Sequence, residues 1–208
     1  MMKSIAPCDS SRRDFPVLLF ILLTLAACGT LHLDRNVQVQ SVMAATCPCT
    51  IWSASATPSQ AAVSDASAVE LGVKFRASAS GSITGIRFYK GSTNTGTHVG
   101  NLWSSSGTLL ATATFTNETA SGWQQVNFST AVAITANTTY VASYHTNVGH
   151  YAGDNNYFAS AGVTNGPLTA LANGVDGGNG VYLYGSSSGF PNQTWNSSNY
   201  WVDVVFQP

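Results

Sequence analysis

The chain has 208 residues, and its 8 Lys and Arg against 9 Asp and Glu make charged residues only 8% of the whole. A soluble domain ordinarily carries about 25%. Hydrophobic residues at 44% and aromatics at 11% exclude a disordered chain, and a net charge of -1 excludes the basic excess typical of nucleic-acid binding.

Residues 1–46 read as an export segment, to be set aside before the fold is considered. Val17–Ala27 (VLLFILLTLAA) is an 11-residue apolar run. That suits a signal-peptide core but falls short of the roughly 20 residues of a membrane span. Before it, Ser11-Arg12-Arg13-Asp14-Phe15 fits the twin-arginine export pattern, or only the positive charge that any signal segment carries. After it, Leu25-Ala26-Ala27-Cys28 resembles a lipobox, which makes Cys28 a lipidation candidate. Val42-Met43-Ala44-Ala45 offers a small-residue cleavage site further on. Each alternative implies an exported protein of the cell envelope or exterior, in contact with a membrane only through an N-terminal anchor.

The remainder, residues 47–208, is expected to form a single domain. It keeps Lys74, Arg76, Arg87 and Lys90 against Asp65, Glu70, Glu118, Asp154, Asp176 and Asp203, a net charge of -2. Such a surface is solvated by hydroxyls and amides rather than by charge, which suits neutral sugars better than charged polymers. Its two cysteines, Cys47 and Cys49, flank a proline. Export favours oxidation, to a local disulfide or an intermolecular staple. Free thiols and a metal site are the other readings, the latter short of further ligands.

Period-two alternation then runs through the domain. Glu70–Ala77 puts Leu71, Val73 and Phe75 on one face and Glu70, Lys74 and Arg76 on the other. Further strands are expected at Ser82–Lys90, His98–Ser104, Thr108–Thr116, Trp123–Ser129 and Thr138–Thr146. Asn147–Gly180 is rich in Gly and Asn and has little regular pattern, and Val181–Gly185 and Tyr200–Gln207 close the chain. No helical period occurs. Short strands separated by turn signals predict an all-β antiparallel sandwich of jelly-roll or Greek-key type, behind its signal or anchor segment. The first and last strands, with apolar sets at matching spacing, are expected to lie side by side.

Several ordered motifs accumulate along this domain: Cys47-Pro48-Cys49, GIRFYKG (Gly85–Gly91), NTGTHVGNLW (Asn94–Trp103), SGWQQVNF (Ser121–Phe128), TYVASYHTNVGHYA (Thr139–Ala152) and YWVDVVF (Tyr200–Phe206). Together they resemble the bacterial secreted family known as domain of unknown function 4082. The resemblance implies an extracellular β-sandwich accessory module with no established reaction, of a kind often found beside immunoglobulin-like or carbohydrate-active domains. Here the module is expected to stand alone behind the export segment, unlike that multidomain pattern.

No nucleophile elbow, phosphate loop or dinucleotide fingerprint is present, and the six carboxylates form no evident glycosidase pair. The expectation is therefore a non-catalytic module that binds a polysaccharide or other glycan, with an envelope protein as the alternative partner and a glycan-active enzyme as a remoter one. Aromatic platforms beside polar groups suit sugars, and Lys90, His98, Trp103, Tyr144, His145 and Tyr151 form the candidate ligand set. Packing of the rings in the sandwich is the plainer reading. Glu70 and Asp203, on strands placed side by side, are candidates for a structural calcium ion, against pairing with Lys74 or Arg87. Asp154-Asn155-Asn156 is a weaker oxygen-rich candidate.

Overall fold

The computed structural model describes residues 47–208. The candidate export motifs and the Cys28 lipidation candidate lie outside the described residues. Eleven strands are present among the described residues: β1 (Val69–Ala77), β2 (Gly81–Lys90), β3 (His98–Ser104), β4 (Leu109–Thr114), β5 (Gly122–Ile134), β6 (Tyr140–Thr146), β7 (Val163–Asn165), β8 (Leu168–Ala170), β9 (Val181–Tyr184), β10 (Gln193–Thr194) and β11 (Val202–Gln207).

They form two antiparallel sheets. The larger runs β10-β9-β1-β6-β3-β4, with the β7–β8 hairpin attached to β1 through β8; the smaller is β11-β2-β5. The chain changes sheet between β1 and β2, between β2 and β3, between β4 and β5, between β5 and β6 and between β10 and β11. This alternation is the jelly-roll-like sandwich that the strand pattern predicted. Apolar residues at every second position meet between the sheets: Leu71, Val73 and Phe75 of β1, Ile86 and Phe88 of β2, and Val202, Val204 and Phe206 of β11 are all essentially inaccessible. Gly100 of β3 permits the close approach, because a Cβ there would stand 3.0 Å from Ile86 Cβ and from the Phe115 ring.

Two expectations require correction. β1 and β11 are not neighbours in a sheet: β1 pairs with β6, β8 and β9, whereas β11 pairs with β2. Facing strands of a sandwich and adjacent strands of one sheet bury the same alternating pattern, so matching spacing does not distinguish them. Nor does the charged face of β1 meet open solvent. Glu70 is fully buried, and Lys74 Nζ donates to the carbonyl of Asp176 in the segment folded over that face. The region between residues 147 and 180 also contains β7 and β8, each of three residues, too short for periodicity to register.

The smaller sheet is closed by the beginning of the domain. Cys47 and Cys49 form a disulfide, which resolves the alternatives for that pair. Cys49 bridges to Phe206, and the Ile51 and Trp52 amides both donate to the Asp203 carboxylate. Asp203 also pairs with Arg87, its cross-strand partner on β2, at 3.3 Å. Arg87 in turn lies 4.4 Å from the Trp123 ring centroid. The pair therefore sits on the face opposite Ile86 and Phe88, roofed by Ile51 and Trp52.

Candidate functional site

A cleft of about 380 Å³ opens at the margin of the larger sheet, lined by Asp65, Tyr151, Tyr182, Tyr184, Trp195 and Tyr200. Its construction begins on β9. Antiparallel pairing sets Tyr184 opposite Val69 and Tyr182 opposite Leu71, so both tyrosines share the face that those residues present to the core. Here, near the end of the sheet, that face carries rings in place of aliphatic side chains. Tyr200, just before β11, and Tyr151, from the long loop after β6, complete the row.

The four tyrosines meet edge to face in sequence. Tyr151 lies 5.7 Å from Tyr200, Tyr200 6.4 Å from Tyr182, and Tyr182 5.5 Å from Tyr184, with interplanar angles of 70–81°. Asp65 clasps the two ends of this belt. Its Oδ2 accepts the Tyr184 hydroxyl at 2.5 Å and the Tyr151 hydroxyl at 3.3 Å, while Oδ1 accepts the Ser67 amide at 2.9 Å. Burial alone would raise the Asp65 pKa, but the hydrogen bonds from Tyr184, Ser67 and Tyr151 together hold it below the ordinary carboxylate value. Trp195 stands at the rim, 60% exposed, and Tyr184 is 50% exposed.

The backbone locks Asp65 in place. Its carbonyl accepts the His150 amide at 2.6 Å, and a Cβ at Gly149, where φ is +63°, would stand 2.2 Å from that same oxygen. Only glycine fits there.

Of the six residues expected to bind ligand, the cleft contains Tyr151 alone. The others are distributed over different faces. Tyr144 and His98 point between the sheets and pack on Phe88, at 4.1 and 4.8 Å. Burial drives the Tyr144 pKa far up, so the phenol stays neutral. His98 Nδ1 donates to Glu118 at 2.8 Å, and Lys90 Nζ donates to the same carboxylate at 2.7 Å. Trp103 and His145 lie on the opposite face of the larger sheet. There Trp103 Nε1 donates to Ser143 Oγ at 2.7 Å and its ring packs against Phe190, while His145 Nε2 bonds the Gly185 carbonyl. Packing and hydrogen bonding account for these five residues. Glu118 ties Lys90 to His98, and its local sequence carries no sign of these two partners.

The proposed calcium pair is not brought together. Glu70 is on β1 of the larger sheet, where it accepts bonds from Asn101, Ser143 and Ser188; Asp203 is on β11 of the smaller one, bonded to Arg87 as the competing reading had it. Desolvation raises the Glu70 pKa, with Ser143, Asn101 and Ser188 opposing it. The Asp154 carboxylate is likewise committed to protein donors, namely Ser59, Gln60 and the Trp201 indole. Among the described residues, no group of three or more His, Cys, Asp or Glu side chains is placed to hold a metal ion.

His98 provides a pH test of the interior. Burial lowers its pKa below the ordinary 6.5, with Glu118 opposing the shift. The unfolded chain then takes up a proton before the folded one does, so stability should fall as pH drops from about 6.5 toward the lower folded value. The slope is at most about 1.4 kcal/mol per pH unit. Urea unfolding of wild type and His98→Gln across this window measures it, and equal slopes in the two proteins would refute it.

Asp65, Tyr182, Tyr184, Trp195 and Tyr200 escaped the sequence reading. The one available signal was Tyr182 and Tyr184 at i and i+2 of a strand, which places two rings on one face.

Fold and site together define a class: an all-β sandwich module carrying an aromatic cleft with a single carboxylate. The chain belongs to the family described as Domain of unknown function (DUF4082), whose model matches residues 55–202. The matched span includes all six residues that line the cleft and begins after the Cys47–Cys49 disulfide. No curated protein matches the chain.

Proposed function

We propose that this protein is an exported, non-catalytic carbohydrate-binding module and that the aromatic cleft is its ligand site. The belt of four tyrosines with Trp195 at its rim carries this reading. A pyranose presents a flat C–H face that stacks on an aromatic ring and a girdle of hydroxyls that needs hydrogen-bond partners. The cleft offers both, and its volume falls within the roughly 300–1,000 Å³ typical of small-molecule sites. Its lining contains one carboxylate, Asp65, whereas glycoside hydrolysis by the usual route takes two across the scissile bond. Export rests on the apolar run and arginine pair of the first 46 residues.

A glycan array followed by calorimetry on the purified protein tests the proposal. Trp195→Ala should weaken binding about tenfold, a loss of about 1.4 kcal/mol, as expected when a stacking platform is removed. Its unfolding midpoint should stay at the wild-type value, because the side chain is largely exposed. Absence of glycan binding by the wild-type protein would refute the proposal.

A further inference from the structure

Two of the four phenols in the cleft, with its carboxylate, are turned toward accepting. A tyrosine hydroxyl has one hydrogen to donate. Tyr184 and Tyr151 both direct theirs at Asp65, so toward a ligand these two phenol oxygens present lone pairs. The carboxylate itself only accepts. No lysine or arginine lines the cleft.

The charge distribution of the domain reinforces this bias. Among the described residues, every basic side chain is engaged elsewhere. Arg76 pairs with Asp176, Arg87 with Asp203 and Lys90 with Glu118, and Lys74 is bonded to the Asp176 carbonyl. Asp65 has no cationic partner among them, although its hydrogen bonds favour the ionised form. Its negative charge is set beside rings whose faces carry negative quadrupole density and attract cations. A carboxylate without a cationic partner, two acceptor-oriented phenols and open ring faces favour a ligand that carries a cationic donor group.

We infer that the cleft selects saccharides bearing a free ammonium group, the deacetylated amino sugars, over neutral and N-acetylated ones. This rests on the carbohydrate reading above and narrows it. It also departs from the expectation, drawn from composition, that a weakly charged surface suits neutral sugars: the overall charge is small, but the charge at the site is localised and uncompensated.

The experiment is calorimetry of the full chain at pH 6 with matched oligomers of glucosamine, N-acetylglucosamine and glucose, and with tetramethylammonium chloride as a cation lacking a sugar. The glucosamine oligomer should bind about tenfold more tightly than the other two, and added salt should reduce that margin. Asp65→Asn should abolish the margin, the glucosamine oligomer falling to the affinity of the neutral ones. Trp195→Ala should weaken all three oligomers together. Equal binding of the three oligomers, unchanged in Asp65→Asn, would overturn the amino-sugar inference and leave the carbohydrate reading standing. Binding of tetramethylammonium as tight as that of the glucosamine oligomer would overturn both, as would the absence of binding by any oligomer. Circular dichroism of Asp65→Asn checks that lost selectivity does not come from a collapsed cleft.

Discussion

Asp203→Ala should destabilise the domain by about 3–5 kcal/mol, the range found when one member of a buried ion pair is removed. The carboxylate is fully buried and collects four donors: the Ile51, Trp52 and Val204 amides and the Arg87 guanidinium. Alanine leaves all four without this acceptor, and Arg87, 8% exposed, has little recourse to water. Since domains of this kind are stable by about 5–15 kcal/mol, the variant should lie close to the threshold of folding at 37 °C. Asp203→Asn keeps an acceptor oxygen and should lose less. Urea unfolding at neutral pH measures both, and a loss below about 1 kcal/mol for alanine would mean that the donors find substitutes. Burial pushes the Asp203 pKa up to about 6, with Arg87 and the three amides opposing it. A pKa raised on folding gives a contribution that is complete below 3.8 and lost as pH rises through about 6. Asp203→Asn should flatten that part of the stability profile.

The second large effect is expected at Phe88→Ala, again about 3–5 kcal/mol. Phe88 is inaccessible and joins three rings, with Tyr144 stacked on it at 4.1 Å and Phe115 and His98 at 4.8 Å. Truncation opens a cavity between the sheets that rigid strands cannot close. Tyr144→Phe, by contrast, keeps the stacked ring and gives up one 3.3 Å bond from Asn94 Nδ2, so about 1 kcal/mol is expected. Denaturation of both variants separates packing from hydrogen bonding. Equal losses would show that the hydroxyl, not the ring, is what matters here.

These two sites also mark what the sequence made legible. Alternation in Leu71, Val73 and Phe75, or in Ile86 and Phe88, is local, and it is enough to locate most of the strands. Which face of a covered strand would be wet was not local. Glu70 and Arg87 look solvent-facing in the pattern, yet Ser188 and Trp52, each distant in the chain, fold over them. Tyr144 and His98 carry polar tips and resembled a ligand set, but Asn94 and Glu118 satisfy those tips inside the fold. The cleft was harder still. Its members come from residues 65, 151, 182, 184, 195 and 200, assembled by a backbone that turns through left-handed positions at Gly149, His150, Asn196, Ser197 and Trp201. Periodicity has no purchase on such a path.

The closure of the smaller sheet bears on the order in which the chain can fold. The Ile51–Asp203 bond spans 152 residues, and contacts of that separation form late because a long loop must close first. Until β11 arrives, one side of β2 is an unpaired strand edge lined with β-formers, open to pairing with another chain. A chain interrupted before residue 202 would keep that edge exposed. Self-association rather than simple instability is then the hazard of losing the last strand.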